Sequence, residues 1–162
     1  GKKKYADVEE EIQSVRSQLK VLQDKLIDLT DKDAEAFAPL SAAYGLPKDT
    51  EEQKAAKARI MEGALYDASV VPIEIMETVL EVMGLLKILG EKGSRIAVSD
   101  VGVGVLFAQA ALEGASLNVF INTKLMKDRG RAEKLNQKTE SMIAEGREWR
   151  EIIYRDVLGH IQ

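Results

Sequence analysis

The sequence predicts an all-α protein, a multi-helical up-down bundle of long helices. Apolar or small residues recur at alternating steps of four and three through Val8, Ile12, Val15, Leu19, Leu22, Leu26 and Leu29. Such alternation marks one face of a long helix packed against other helices. Only three prolines occur, at 39, 47 and 72, so few breaks interrupt the periodic runs. Hydrophobic residues make up 45% of the 162, enough for one domain with a substantial core.

The first helix is expected to start near Tyr5 or Asp7 and to run past Asp33. Pro39 predicts a kink or an end near Ala38, although the pattern persists to Tyr44 and Gly45 offers a stop. If straight, residues 8–43 would span about 54 Å at 1.5 Å per residue, a length that suits an extended bundle or a dimer. The second helix opens at Asp49 or Thr50, where Thr50 and Gln53 fit a capping box. Ala55, Ala56, Ala58, Ala64 and Ala68 give it a surface that permits close approach. Pro72 either kinks this helix or begins the next. Ile73 to Leu89 is apolar on most sides and predicts the central buried helix, closed by Gly90 and Gly93.

Ser99 is a good N-cap for a further helix. Gly102 and Gly104 follow in its first turns, each costing about 1 kcal/mol relative to Ala, so another helix or a ligand should approach the backbone there. Leu117 to Met126 is read as a helix of its own, because a lone strand would have no partner. It sets Asn118 and Asn122 one turn apart on one face. The last helix is expected from about Arg131 to Leu158, with Leu135, Met142, Trp149, Ile152 and Ile153 on its apolar side.

Composition excludes several functions. Lys and Arg total 23 against 27 Asp and Glu, a net charge of −4, which argues against a general nucleic-acid binder. Without cysteine, neither disulfides nor thiolate metal sites can form. The single histidine, His160, lies three residues from the end, which leaves little room for a histidine-based metal site or a nucleophilic triad. No apolar run is expected to reach membrane-spanning length and no signal peptide is visible, so no membrane partner and a cytoplasmic location are expected. Lys2, Lys3 and Lys4 read as an exposed start.

One acid breaks the first helix's seam. After Leu29 the next step lands on Asp33, and the seam resumes with Ala36, Leu40 and Ala43. A carboxylate on that face loses water, and its charged form becomes costly unless a partner compensates. Ser99 and Asp100 between apolar runs, the Asn118/Asn122 pair, and Lys57 on the alanine-rich helix complete the candidates. Each has a structural reading: a cap, an interhelical bond, a solvated cation. Together they offer carboxylates, amides, a hydroxyl and an ammonium, groups suited to proton transfer and to recognition of a polar heterocycle.

The segments Asp33-Ala-Glu-Ala-Phe37, Leu46-Pro-Lys48, Ala68-Ser-Val-Val-Pro72, Ser99-Asp100-Val-Gly102 and Leu117-Asn118-Val-Phe-Ile-Asn122, in this order and spacing, resemble the cyclodeaminase/cyclohydrolase family. That family includes the C-terminal domain of formimidoyltransferase-cyclodeaminase and bacterial methenyltetrahydrofolate cyclohydrolases. The resemblance implies a helical homodimer that binds a one-carbon derivative of tetrahydrofolate as substrate, in a cleft between helices, with no metal or other cofactor. It implies Asp33 and Asp100 as acid/base residues, and Ser99, Asn118 and Asn122 as residues that orient the pterin. Lys57 would pair with a carboxylate or with the folate glutamate tail. The family usually opens with a helix bearing a Pro-Gly-Gly-Gly-Ser stretch. This chain starts where that helix would end, so a single domain over 1–162 without the Gly-rich helix is expected. The site expectation is that Asp33, Asp100 and Asn118 converge on one cleft. The alternative is a non-catalytic helical oligomerisation or interaction module, with Asp33 salt-bridged in the core.

Overall fold

The computed structural model describes residues 3–162, with side chains from residue 6 onward, so the surface expected of Lys2, Lys3 and Lys4 lies outside the described side chains. Every regular element among the described residues is helical. After a 3-10 segment, Lys3–Val8, come α1 (Glu9–Tyr44), α2 (Glu51–Lys92), a short 3-10 turn (Arg95–Ala97), α3 (Val98–Thr123) and α4 (Arg129–Ile161). The expected all-α class is what forms.

Both helix-internal prolines are absorbed. Pro39 lies inside a continuous α1. The carbonyl it leaves without a helical donor belongs to Glu35, and both residues are exposed, so water can serve it. Pro72 is buried inside a continuous α2 and leaves the Ala68 carbonyl without its helical N–H. Asn122 repairs that loss from α3: its Nδ2 donates to the Ala68 carbonyl oxygen at 3.0 Å. The expected capping box opens α2, with Thr50 Oγ1 accepting from the Gln53 N–H and Gln53 Oε1 accepting from the Thr50 N–H.

Two expectations are corrected on α3. The helix begins at Val98, one residue before Ser99, and Ser99 makes no cap; it is an exposed residue of the first turn. Nor is there a break near Leu117, because α3 runs unbroken to Thr123. The reason is chemical continuity, since no proline interrupts 98–123 and the glycines there serve packing. A Cβ on Gly102 would lie 3.0 Å from Val157 Cγ1 of α4, and one on Gly104 would lie 3.4 Å from Leu86 Cδ2 of α2. Neighbouring helices, not a ligand, explain those two glycines.

Contacts along the helices fix their levels. Lys92 near the end of α2 meets Glu11 of α1, Lys25 of α1 faces Glu81, and Lys57 near the start of α2 reaches the carbonyls of Tyr44 and Leu46. On the other side of α2, Gly90 abuts Val101 and Ala68 meets Asn122. From α3 to α4, Gly102 faces Val157 and Thr123 bonds Asn136. The main core lies between α2, α3 and α4, centred on Met76, Met83, Val105, Leu112 and Val119, while α1 leans on α2.

The expectation that no apolar run reaches membrane-spanning length is also corrected. Arg95–Thr123 contains an 18-residue window of mean hydropathy 1.5, long and apolar enough by composition alone. One face of this helix builds the core. The opposite face stays open, with Ile96 82%, Phe107 73%, Leu117 68% and Ile121 62% exposed.

Candidate active site

An open groove of about 490 Å³ runs beside α1, lined by Leu19, Gln23, Leu26, Ile27, Thr30 and Val82. Its walls come from α1, with Val82 of α2 at its base; one turn further along α2, Leu86 packs on Gly104 of α3. A larger groove of about 590 Å³ lies on the other flank of α1, around Val21, Glu81 and Gly84, and none of the candidate residues lines it.

None of the candidate residues lines the smaller groove either; Asp33 lies on the α1 face that continues beyond it. It follows Leu26 by seven residues and Thr30 by three, which places it on the same α1 face. Its side chain is partly buried and makes no hydrogen bond or ion pair among the described residues. Burial alone pushes its carboxyl pKa above the ordinary value. Interpolating between the Lys25–Glu81 and Lys57–Tyr44 contacts sets Asp33 level with Pro72. The α2–α3 contacts set Pro72 level with Asn118. Asn118 is exposed on α3 at the edge that borders α2.

The remaining candidates disperse. Asp100 and Ser99 are exposed at the start of α3; Asp100 lies five turns from Asn118 on the same flank, roughly 27 Å away at 1.5 Å per residue, and Ser99 about 100° around the helix from it. The expected convergence of Asp33, Asp100 and Asn118 therefore does not occur within one chain, because the unbroken α3 holds its two ends apart. Asn122 turns inward to Ala68 and is 8% exposed. Lys57 finds no carboxylate: its Nζ donates to the carbonyls of Tyr44 and Leu46, at 2.7 and 2.9 Å, and closes the end of α1. It also lines a pocket of about 340 Å³ with Lys48, Lys54 and Lys127.

The sequence profile of the formiminotransferase-cyclodeaminase family matches residues 1–141. The chain belongs to the formiminotransferase-cyclodeaminase family. It is 41% identical over 157 residues to the methenyltetrahydrofolate cyclohydrolase of Methylorubrum extorquens, covering 97% of this chain and 76% of that protein. It is 31% identical over 143 residues to the formimidoyltransferase-cyclodeaminase of Gallus gallus, covering 88% of this chain but only 26% of that longer protein. The solved structure of the formiminotetrahydrofolate cyclodeaminase of Thermotoga maritima superimposes with a TM-score of 0.85 at 25% identity, over 99% of this chain and 76% of that one.

Within this family member, sequence reasoning overlooked the outer face of α3. Ile96, Val103, Phe107, Leu117 and Ile121 form a second apolar stripe, and Asp100 and Asn118 lie along one edge of it. The signal was present as a repeat of three and four residues on the side opposite the core stripe. It was masked because a helix apolar on both sides shows no amphipathic contrast.

Proposed function

We propose that this chain is a folate one-carbon enzyme, a methenyltetrahydrofolate cyclohydrolase in which Asp33 handles the proton. The observation that carries this reading is an acid without a hydrogen-bonding or ion-pair partner among the described residues, partly buried on the α1 face beyond the groove and level with Asn118. A non-catalytic module would have that acid neutralised by a cation. The relative 41% identical along nearly the whole chain bears the cyclohydrolase name.

In this reaction water adds to the cationic methenyl carbon between N5 and N10 and gives a proton to the Asp33 carboxylate. The C–N5 bond of the tetrahedral carbon then breaks, N5 takes a proton, and the formyl group remains on N10. One proton is released overall. A raised pKa brings the carboxyl closer to the range where it both accepts and returns a proton. While ionised, it also stabilises the positive charge on the methenyl carbon. Asn118 offers an amide donor and acceptor to the pterin edge. Asp100 and Ser99 lie too far along α3 to touch the same substrate within one chain, and Lys57, with the lysines around it, is assigned to the anionic glutamate tail. Asn122 acts from behind, by holding the α2 backbone at Ala68 one turn from Asn118. The chemistry needs no metal or further cofactor. The working unit in this reading is an up-down helical homodimer, a view supported by the helix contacts and by the open apolar face of α3.

The cyclodeaminase named by the Thermotoga maritima neighbour is the second reading. It uses the same proton traffic, with N10 as nucleophile and ammonia as leaving group. Loss of methenyltetrahydrofolate absorbance, measured beside ammonia release from the formimino compound, separates the two. For the favoured reading, Asp33→Asn should lower hydrolysis at least about 100-fold, the usual contribution of a positioned acid/base group, with helicity unchanged. Undiminished turnover in that variant would remove Asp33 from the mechanism.

A further inference from the structure

We infer that Phe37 is a substrate-binding residue, and that its ring face receives the p-aminobenzoyl ring of the substrate, between the carbon that reacts at Asp33 and the glutamate tail at the lysine pocket. The inference rests on the folate reading and supplies a contact for the part of the substrate to which that reading assigns none.

Two cavities bracket Phe37 along one flank of α1. Leu19 lines the groove of about 490 Å³. Phe37 follows Leu19 by 18 residues, five full turns, and so leaves the helix on the same side. Tyr44, seven residues further on, lines the lysine pocket of about 340 Å³. On α2, Val82 at the base of the groove lies one turn from Leu86, and Leu65 in the lysine pocket lies one turn from Ala68. Leu86 and Ala68 both meet α3. The two cavities therefore open on the same side of α2; Phe37 lines neither and stands between them. Asp33 precedes it by one turn on this flank, about 6 Å along the axis, and Tyr44 lies about 17 Å beyond Asp33. The order along the flank is acid, ring, lysines. The substrate has the same order, since its aryl ring separates the bridging carbon at N10 from the glutamate.

The ring presents an open face. Phe37 is 51% exposed and belongs to neither apolar core. Its neighbours on the flank are small, Ala34 three residues before it and Ser41 four after. Tyr66, Trp149 and Tyr154 each carry a cation over the ring, from Arg131, Lys87 and Arg150. Among the described residues Phe37 has no such cation. A phenyl group left half in water forgoes much of its burial free energy. A planar aryl ring laid on it removes apolar area from both partners and adds an offset stacking contact. The groups already assigned to the substrate are polar or charged, and none of them offers a flat apolar surface. Phe37 does, one turn from the acid.

Steady-state kinetics on methenyltetrahydrofolate test the assignment. Phe37→Ala should raise KM at least about fivefold, the low end of what stacking on an aromatic side chain contributes. Its kcat should stay within about twofold of wild type, because a contact held equally in the ground and transition states enters KM alone. Phe37→Trp restores a flat face and should keep KM within about twofold of wild type. Phe37→Leu keeps apolar bulk without that face and should also raise KM; it carries the same test if Phe37→Ala fails to fold. An unchanged KM in Phe37→Ala, or an equal rise in Phe37→Trp, overturns the assignment and leaves the folate reading standing. A wild type that turns over neither the methenyl nor the formimino compound defeats the folate reading, and the assignment falls with it. A second measurement needs no turnover. N-(p-aminobenzoyl)glutamate carries the aryl ring and the tail but no pterin. Its aryl proton resonances should broaden with wild type and with Asp33→Asn, and should sharpen with Phe37→Ala. No difference between wild type and Phe37→Ala overturns the proposal.

Discussion

Asp33 and Glu113 are carboxylates displaced in opposite directions, and the contrast shows how local surroundings decide what an acid does. On Glu113, the bond from Arg147 Nε at 2.8 Å and then that from the Gln109 amide hold the carboxyl below its ordinary value. Its contribution to stability is present above the unfolded pKa and fades as pH falls through the folded one. Asp33 has burial and, among the described residues, no donor, so its folded pKa is raised. Its contribution is fully present below the unfolded pKa and is lost as pH rises through the folded one. Asp33→Asn should therefore raise the Tm at neutral pH while removing turnover, and should reduce the decline in stability between pH 4 and neutrality, checked by calorimetry across that range. A stabilising change that destroys activity is the usual mark of an acid kept for function. This residue was legible in the sequence because a polar side chain interrupted a strict heptad. Asn122 was legible only as polar. Its task depends on a carbonyl orphaned by a proline 50 positions away in sequence, and no periodicity encodes that pairing.

At the scale of elements, the continuity of α2 through Pro72 depends on a bond from another helix. Asn122→Ala should cost about 1–3 kcal/mol in urea denaturation, the usual penalty for a buried group left unsatisfied. In a Pro72→Ala background the Ala68 carbonyl regains its helical donor, and the cost of Asn122→Ala should shrink. Equal costs in the two backgrounds would refute the repair. Glycines divide in the same way by their surroundings. A Cβ on Gly63 meets nothing within 4 Å, so Gly63→Ala should add roughly 0.5–1 kcal/mol from helix propensity. Gly102→Ala drives a methyl against the β-branched Val157 and should destabilise despite the same propensity gain. Helix existence, the Thr50 cap and the end of α1 at Gly45 could all be read locally. The start of α3 and its passage through Leu117 could not, because Ser99 and the Asn-rich run carry local signals for a cap and a break. Packing overrides them.

For the whole molecule, unequal support among the helices predicts unequal opening. α2 is covered by α1, α3 and α4, whereas α1 has α2 as its main support. Hydrogen exchange should therefore release α1 amides first and those around Met76 and Met83 last. Uniform protection of α1 and α2 would contradict that hierarchy. The bundle itself was predictable from sequence because heptads and sparse prolines are properties of whole segments. The site was predictable only as a set of residue types, since a helical rod says which side a residue faces but not what stands across from it.

The Asn122 graft on Ala68 has a consequence for evolvability. It silences the α2 backbone at the level of Asp33 and Asn118: Pro72 has no N–H to offer, and the carbonyl it freed is already taken. In the proposed folate reading, a guest held between Asp33 and Asn118 gets no backbone hydrogen bond from that turn of α2, so discrimination among related pterins falls to polar side chains. Exchanging one of them should retune which substrate is accepted while the scaffold beneath stays intact.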